Sequence, residues 1–378
     1  MSQYEYYEFL AVDRRLTERD MQQLRACSSR AQITPTSFTN EYHFGSFKGD
    51  ESLWMEKCFD GYMYNSHWGT RVLMLALPAK VLPLDSVEPF AFGDALSVRK
   101  KDGRVILKFT WHDEDYETWV ATDETLSPLL TLREELAGGD YRSLYIGWLL
   151  GVQRGEVADD QIEPPVPANL SALSTTQARL VEFLRVDRDL LDAAAEGNPS
   201  VQPTQETHEV WAAWVKSLPN SEKDDALMQL LDGEPARIAM ELRARFSGSR
   251  RPSHTLPSRR TAAELLATAE ILGKKRKEQS ALMAESEMKR QQELAAQARR
   301  RHLDSLAGSE SEIWTKIDRL IAIRQSRSYD EAVQHLKDLR DLAARRTSQP
   351  DFRSRVGAIR SAHPAKRGLL DRLKREGL

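Results

Sequence analysis

Cysteine is nearly absent from the 378-residue chain, with Cys27 and Cys58 the two present. Two thiols exclude an all-cysteine zinc site and argue against a disulfide framework. Long apolar runs are missing too. No stretch of about 18 apolar residues occurs, which argues against a membrane-spanning helix; the most apolar segment, "SLYIGWLLGV" from Ser143 to Val152, is far too short. The opening "MSQYEYYEFL" has no basic start followed by an apolar core, so no export signal is read and the cytoplasm is the expected location. The glycines of "FGDALS" and "GGDYRS" form no phosphate-loop pattern. The acidic "HDEDYETWVATDE", His112 to Glu124, lacks the alternating ligands and central glycine of an EF-hand loop and reads as a hairpin exit. Neither a cofactor nor a metal is expected.

What is present is apolar material for real cores, 40% of the residues, in a chain long enough for two or three domains. The net charge of -3 conceals a strong asymmetry. Residues 1–242 hold 23 Lys+Arg against 40 Asp+Glu, whereas residues 243–378 hold 31 against 17. An acidic body with a basic arm follows, and such an arm can meet nucleic acid, an acidic partner or the chain's own acidic half.

The patterning predicts an α+β N-terminal domain followed by a mostly α-helical region with a long basic helix and a small C-terminal helical bundle. In residues 1–154, "YYEFLAV" reads as a strand. Thr17 caps a helix that carries Met21, Leu24 and Cys27 at helical spacing. In "ITPTSFTNEYHFGSFKGD", Phe38, Asn40, Tyr42 and Phe44 alternate with Ser37, Thr39, Glu41 and His43, as in a half-buried strand. "DESLWMEKCFDGYMYN" reads as a short helical or irregular piece, and "TRVLMLALP" as a central strand apolar on both faces. "ALSVRKKDGRVILKFTW" is a hairpin turning at Asp102 and Gly103. Helices follow in "SPLLTLREELAGG" and in "DYRSLYIGWLLGVQRG", where Leu144, Tyr145, Trp148, Leu149 and Val152 form one stripe and Gly147 and Gly151 permit close packing.

Residues 155–170 read as a proline-rich linker. Residues 171–246 are helical, beginning with one helix over "STTQARLVEFLRVDRDLLDAAAEG", and 247–260 form a basic joint. The capping box of Thr261 and Glu264 opens a long helix over 261–307 whose apolar residues keep no seven-residue repeat, which argues against a regular coiled coil. Residues 308–378 give four helices: Ile313, Trp314, Ile317, Leu320 and Ile321 line the first. Ser328 and Glu331 box the second, with Val333, Leu336, Leu339 and Ala343; Phe352, Val356 and Ile359 mark the third, and "GLLDRLKREGL" the fourth.

Two groupings could carry catalysis. Cys58, Asp60 and His67 supply a thiol, an acid and a base, while Glu41 and His43, two apart on a strand, point the same way. A packed thiol and a solvated strand face are the plainer readings, and no catalytic residue is assigned; for an enzyme the site would comprise Glu41, His43, Cys58 and His67. The basic elements form a more coherent set. Arg250, Arg251, Arg259, Arg260, Lys274, Lys275, Arg276, Lys277, Arg299, Arg300 and Arg301 can neutralise an acidic partner or phosphates without reading bases.

"ITPTSFTNEYHFGSFKGD", "NSHWGTRVLMLALP" and "SLYIGWLLGVQRGE" resemble a group of bacterial hypothetical proteins over the first 160 or so residues. "SYDEAVQHLKDLRDLAARR", "FRSRVGAIRSAH" and "LLDRLKREGL" are similar to the helical tail of some bacterial SWIM zinc-finger proteins, although the zinc-binding cluster is absent here. This second resemblance implies an interaction tail working near nucleic acid. The expected protein is a bacterial accessory factor that binds a protein partner, and a nucleic-acid backbone, through its basic arm, with no membrane contact; the alternative is an enzyme with a site in the α+β domain.

Overall fold

The computed structural model describes residues 4–43, 46–112, 125–196, 198, 208–231, 235–250, 260–346 and 348–378. The chain divides into two compact units, Met1–Arg276 and Lys277–Leu378.

The first unit is built on an antiparallel sheet of β1 (Glu5–Leu10), β2 (Gln32–Thr34), β3 (Ser37–Tyr42), β4 (Gly61–Ser66), β5 (Arg71–Pro78), β6 (Leu96–Lys101) and β7 (Arg104–Trp111). Among the described residues the strands lie in the order β2-β3-β1-β4-β5-β7-β6. Alternation along each strand sends side chains to opposite faces. Tyr7, Phe9, Phe38, Tyr62, Val72, Met74 and Ile106 enter one core with α1 (Glu18–Cys27) and α2 (Glu51–Lys57). Met63, Leu73, Leu75, Leu107 and Phe109 enter the other. β5 contributes to both cores and is buried along nearly its whole length, as its two-sided apolar sequence predicts. Asp102 and Gly103 both take positive φ, 48° and 78°, the left-handed pair that a tight hairpin turn demands. The piece read as helical or irregular resolves into α2 and a full strand, β4. Tyr62 and Met63 are buried in opposite cores, so both faces of β4 are covered and no in-and-out alternation marks it in the sequence.

The second core is roofed by α3 (Leu132–Ala137), α4 (Arg142–Gln153), α5 (Thr175–Leu184), α6 (Arg188–Ala195), part of α9 (Pro235–Arg250) and the start of α10 (Ala262–Leu306). α7 (His208–Ser217) and α8 (Asn220–Leu231) precede α9. α4 is not striped: Ser143 to Val152 are all buried, because α4 packs on β6 from one side and on α5 and α6 from the other. The single helix read over Ser174–Gly197 is two, since Arg185 turns left-handed at φ 51° and Asp187 caps a new start. Val157, Val166 and Leu170 of the proline-rich stretch are buried in the same core. This stretch also bridges the head of α10, with Ile162 paired to Thr261 and the Ala262 N–H donating to Gln161 O at 3.0 Å.

The second unit holds the rest of α10, then α11 (Glu310–Ile323), α12 (Ser326–Arg345), α13 (Gln349–Ala362) and α14 (Arg367–Arg375), with Ile317, Leu336, Val356 and Leu369 in one core. These four helices match the sequence pattern except at one cap. α12 begins two residues before Ser328, which is buried in the first turn instead of capping it. Among the described residues no helix is long and apolar enough to cross a membrane.

Candidate binding surface

The residues of the enzyme reading fall at separate places on the sheet. Glu41 lies on the solvated face of β3 opposite Tyr6, and His43 is exposed just past that strand. The ring of His43 meets that of Tyr4 at 5.8 Å. His67 follows β4 and accepts the Tyr4 N–H on Nδ1 at 3.0 Å, so Tyr4 stands between the two histidines. Cys58 precedes β4, at the other end of a strand spanning roughly 20 Å. Its thiol is 1% exposed, and burial pushes it up to about 12, which keeps it protonated. A nucleophilic cysteine needs the opposite shift.

Near Cys58 lies an ionic cluster that the sequence does not announce. Asp60, 1% exposed, accepts the backbone N–H groups of Val12 and Asp13 at 2.6 and 2.8 Å and bonds Arg104. Arg133, equally buried, donates to Ala76 O at 2.8 Å and to Asp13 Oδ2 at 2.6 Å. Burial raises the Asp13 carboxyl above its ordinary range against the pull of Arg133. Two acids face two arginines whose remaining donors hold backbone carbonyls, so the cluster ties strand ends together. Arg104 and Arg133 sit in amphipathic segments without any distinguishing spacing. Among the described residues no group of three or more His, Cys, Asp and Glu is placed to hold a metal. Of the acidic stretch His112–Glu124, only His112 lies within the described residues, where Nδ1 meets Thr70 Oγ1 at 2.6 Å.

The basic residues separate into two sets. Arg251 and Arg259 lie outside the described residues, as does the side chain of Arg250 at the end of α9. Arg260 is turned inward, contrary to its assignment to a binding arm. Its guanidinium holds both oxygens of Glu163, at 2.9 and 3.0 Å, and donates to Ala193 O and Ala194 O. Arg276 pairs with Asp189 at 2.8 Å, and Lys274 with Glu270 one turn earlier at 2.7 Å. Arg299 is spent on Asp338 and Asp341, both at 2.5 Å. Glu163, Asp189, Asp338 and Asp341 stand where the ends of α10 pack, whereas Glu270 is an exposed residue of α10 itself. Lys275, Lys277, Arg300 and Arg301 are exposed and have no ion pair among the described residues.

Between the two packed ends, every residue of α10 from Lys274 to Ala298 is exposed. Ion pairs along the helix, Lys289 with Glu285 at 2.7 Å and Arg290 with Glu287 at 3.0 Å, support it locally. Leu282, Met283, Met288 and Leu294 are nonetheless 56–72% exposed. The sequence shows the thinning of apolar residues here; that the stretch is exposed along its whole length follows only from the fold. No family model matches the chain, and no curated protein or solved structure matches it either.

Proposed function

We propose that this chain is a cytoplasmic bacterial accessory protein that works by binding, with the Lys274–Ala298 stretch of α10 as its recognition element for a protein partner. One observation carries the reading: a helix of 25 consecutive exposed residues keeps four large apolar side chains in water. Met283 and Leu294 fall on one face of α10, and burying each against a partner would contribute about 1.5–3 kcal/mol. Lys275, Lys277 and the cations of the helix favour an acidic rim on that partner. A second reading, contact with a nucleic-acid backbone, is supported by Lys275, Lys277, Arg300 and Arg301, whose charges are not neutralised by ion pairs among the described residues.

Affinity purification of the full chain from its own host, with and without nuclease and at low and high salt, tests both. The expected result is a protein that survives nuclease and is lost with the Leu282→Glu, Met283→Glu double variant. Material released by nuclease and moderate salt would move the function to the second reading. A partner indifferent to the double variant, or none at all, would remove α10 as the recognition element.

A further inference from the structure

The turns α11–α12 and α13–α14 of the second unit enclose an open hollow lined by Arg324, Tyr329, His363, Lys366, Arg367 and the short backbone of Ala362, Pro364, Ala365 and Gly368. From it we infer a phosphate-binding site. Three cations and a histidine line the hollow and no carboxylate does. Asp330, which follows the lining Tyr329 on α12, is taken by Arg372, at 2.5 Å to its Nε.

The plainer account of these cations is that they neutralise helix C-termini, and Lys366 does so in part by donating to Ile321 O at 2.9 Å. Magnitudes decide against that as the whole explanation. The C-terminal ends of α11 and α13 bring about half a negative charge each, and the start of α14 returns about half a positive one. Arg324, Lys366 and Arg367 therefore leave an excess of more than about two positive charges at one place. Lys366 keeps two further donors after its backbone bond. Arg324 and Arg367 are exposed and have no ion pair among the described residues. The first turn of α14 has neither a side-chain cap nor an acidic residue; the Leu369 N–H is returned to Lys366 O at 2.9 Å, which leaves the N–H groups of Arg367 and Gly368, two residues that line the hollow, without a side-chain cap.

A phosphate matches this combination: spread negative charge for the cations and acceptor oxygens for the backbone donors. The hollow is open on one side and lacks an exposed aromatic platform, Tyr329 being 9% exposed, so the recognised chemistry is the phosphate and not a base. The site is separate from the exposed stretch of α10 and does not depend on the protein-partner reading.

The test uses the full chain, a short labelled single-stranded oligonucleotide followed by fluorescence polarisation, and inorganic phosphate followed by calorimetry. Arg324→Glu and Arg367→Glu should each weaken binding about tenfold or more, while Arg353→Glu, the same charge change at an exposed position in the first half of α13, should stay within about twofold. Glutamate at the first position of α14 favours the helix, so a loss from Arg367→Glu cannot be put down to unfolding. Inorganic phosphate that binds and displaces the oligonucleotide would identify a site for free phosphate groups. An oligonucleotide response without phosphate binding would identify a site for the diester of a strand. Equal weakening by Arg353→Glu, or no binding of either probe, would overturn the site. The Leu282→Glu, Met283→Glu variant should leave these titrations unchanged, which keeps this outcome distinct from that of the partner experiment.

Discussion

Asp20 shows how one residue joins a local signal to a distant one. It closes the α1 capping box, accepting the Thr17 N–H at 3.1 Å and the Thr17 hydroxyl at 2.7 Å, and it also binds Lys57 at 3.1 Å. Burial pushes the carboxyl up, but the bonds from Thr17 and Lys57 outweigh it and bring the value to about 2. A carboxylate whose pKa is lower folded than unfolded stabilises above its unfolded value, near 4, and that contribution is lost as pH falls through the folded value. The shift corresponds to at most about 2.5 kcal/mol, reduced toward ~1 by the solvent around Arg14 and Lys57. Asp20→Asn should accordingly melt below the parent at pH 6, and the gap should close toward pH 2. A gap that is constant over this range would mean that the cap, not the charge, matters. The cap was legible in "LTERD", whereas the Lys57 contact, 37 residues away, needed the fold.

At the scale of elements, the hairpin at Asp102 and Gly103, the caps at Thr17 and Thr261 and the four terminal helices were readable because each is set by neighbours in sequence, whereas the cap read at Ser328 was displaced. The misreadings occur where the environment decides. α4 looks amphipathic by its spacing, yet it is enclosed all round, since a sheet on one flank and two helices on the other leave no solvent side. α5 and α6 part at Arg185, whose left-handed backbone has no glycine to announce it. Gly147 and Gly151, read as close-packing residues, can be distinguished energetically. A Cβ on Gly147 would lie 2.8 Å from Leu96 Cδ2 and 2.9 Å from Phe109 Cε1, both in the packed core. Overpacking there costs about 1–3 kcal/mol, more than the ~1 kcal/mol that alanine gains over glycine in a helix. On Gly151 the nearest atom is Val157 Cγ2 at 3.2 Å and the next is at 3.7 Å. Denaturant midpoints should therefore fall for Gly147→Ala and hold or rise for Gly151→Ala; the reverse order would contradict the packing of α4 on β6 and β7.

For the whole molecule, the charge asymmetry read from sequence is real, and part of it is neutralised at the head of α10. Arg260 and Arg276 belong to the basic half, and they close on Glu163 and Asp189 of the acidic half, within the first unit. Glu163 also receives the Tyr145 hydroxyl, and its side chain is fully enclosed. Ala262, Leu265 and Ala269 of the same segment lie in the core over the sheet. Where the chain is cut then determines how the body fares. A chain ending at Arg276 retains the clamp and the apolar contacts; one ending at Phe246 loses Leu265, worth about 1.5–3 kcal/mol, and leaves a buried carboxylate without its arginine, at a cost of about 3–5 kcal/mol. Urea denaturation at neutral pH should give the shorter fragment a clearly lower midpoint than the longer one. Glu163→Gln should recover part of that difference in the shorter fragment, because it removes the stranded charge, and should lower stability in the longer one, where the charge is paired. Equal midpoints for the two fragments would show that the head of α10 is not a structural part of the acidic body.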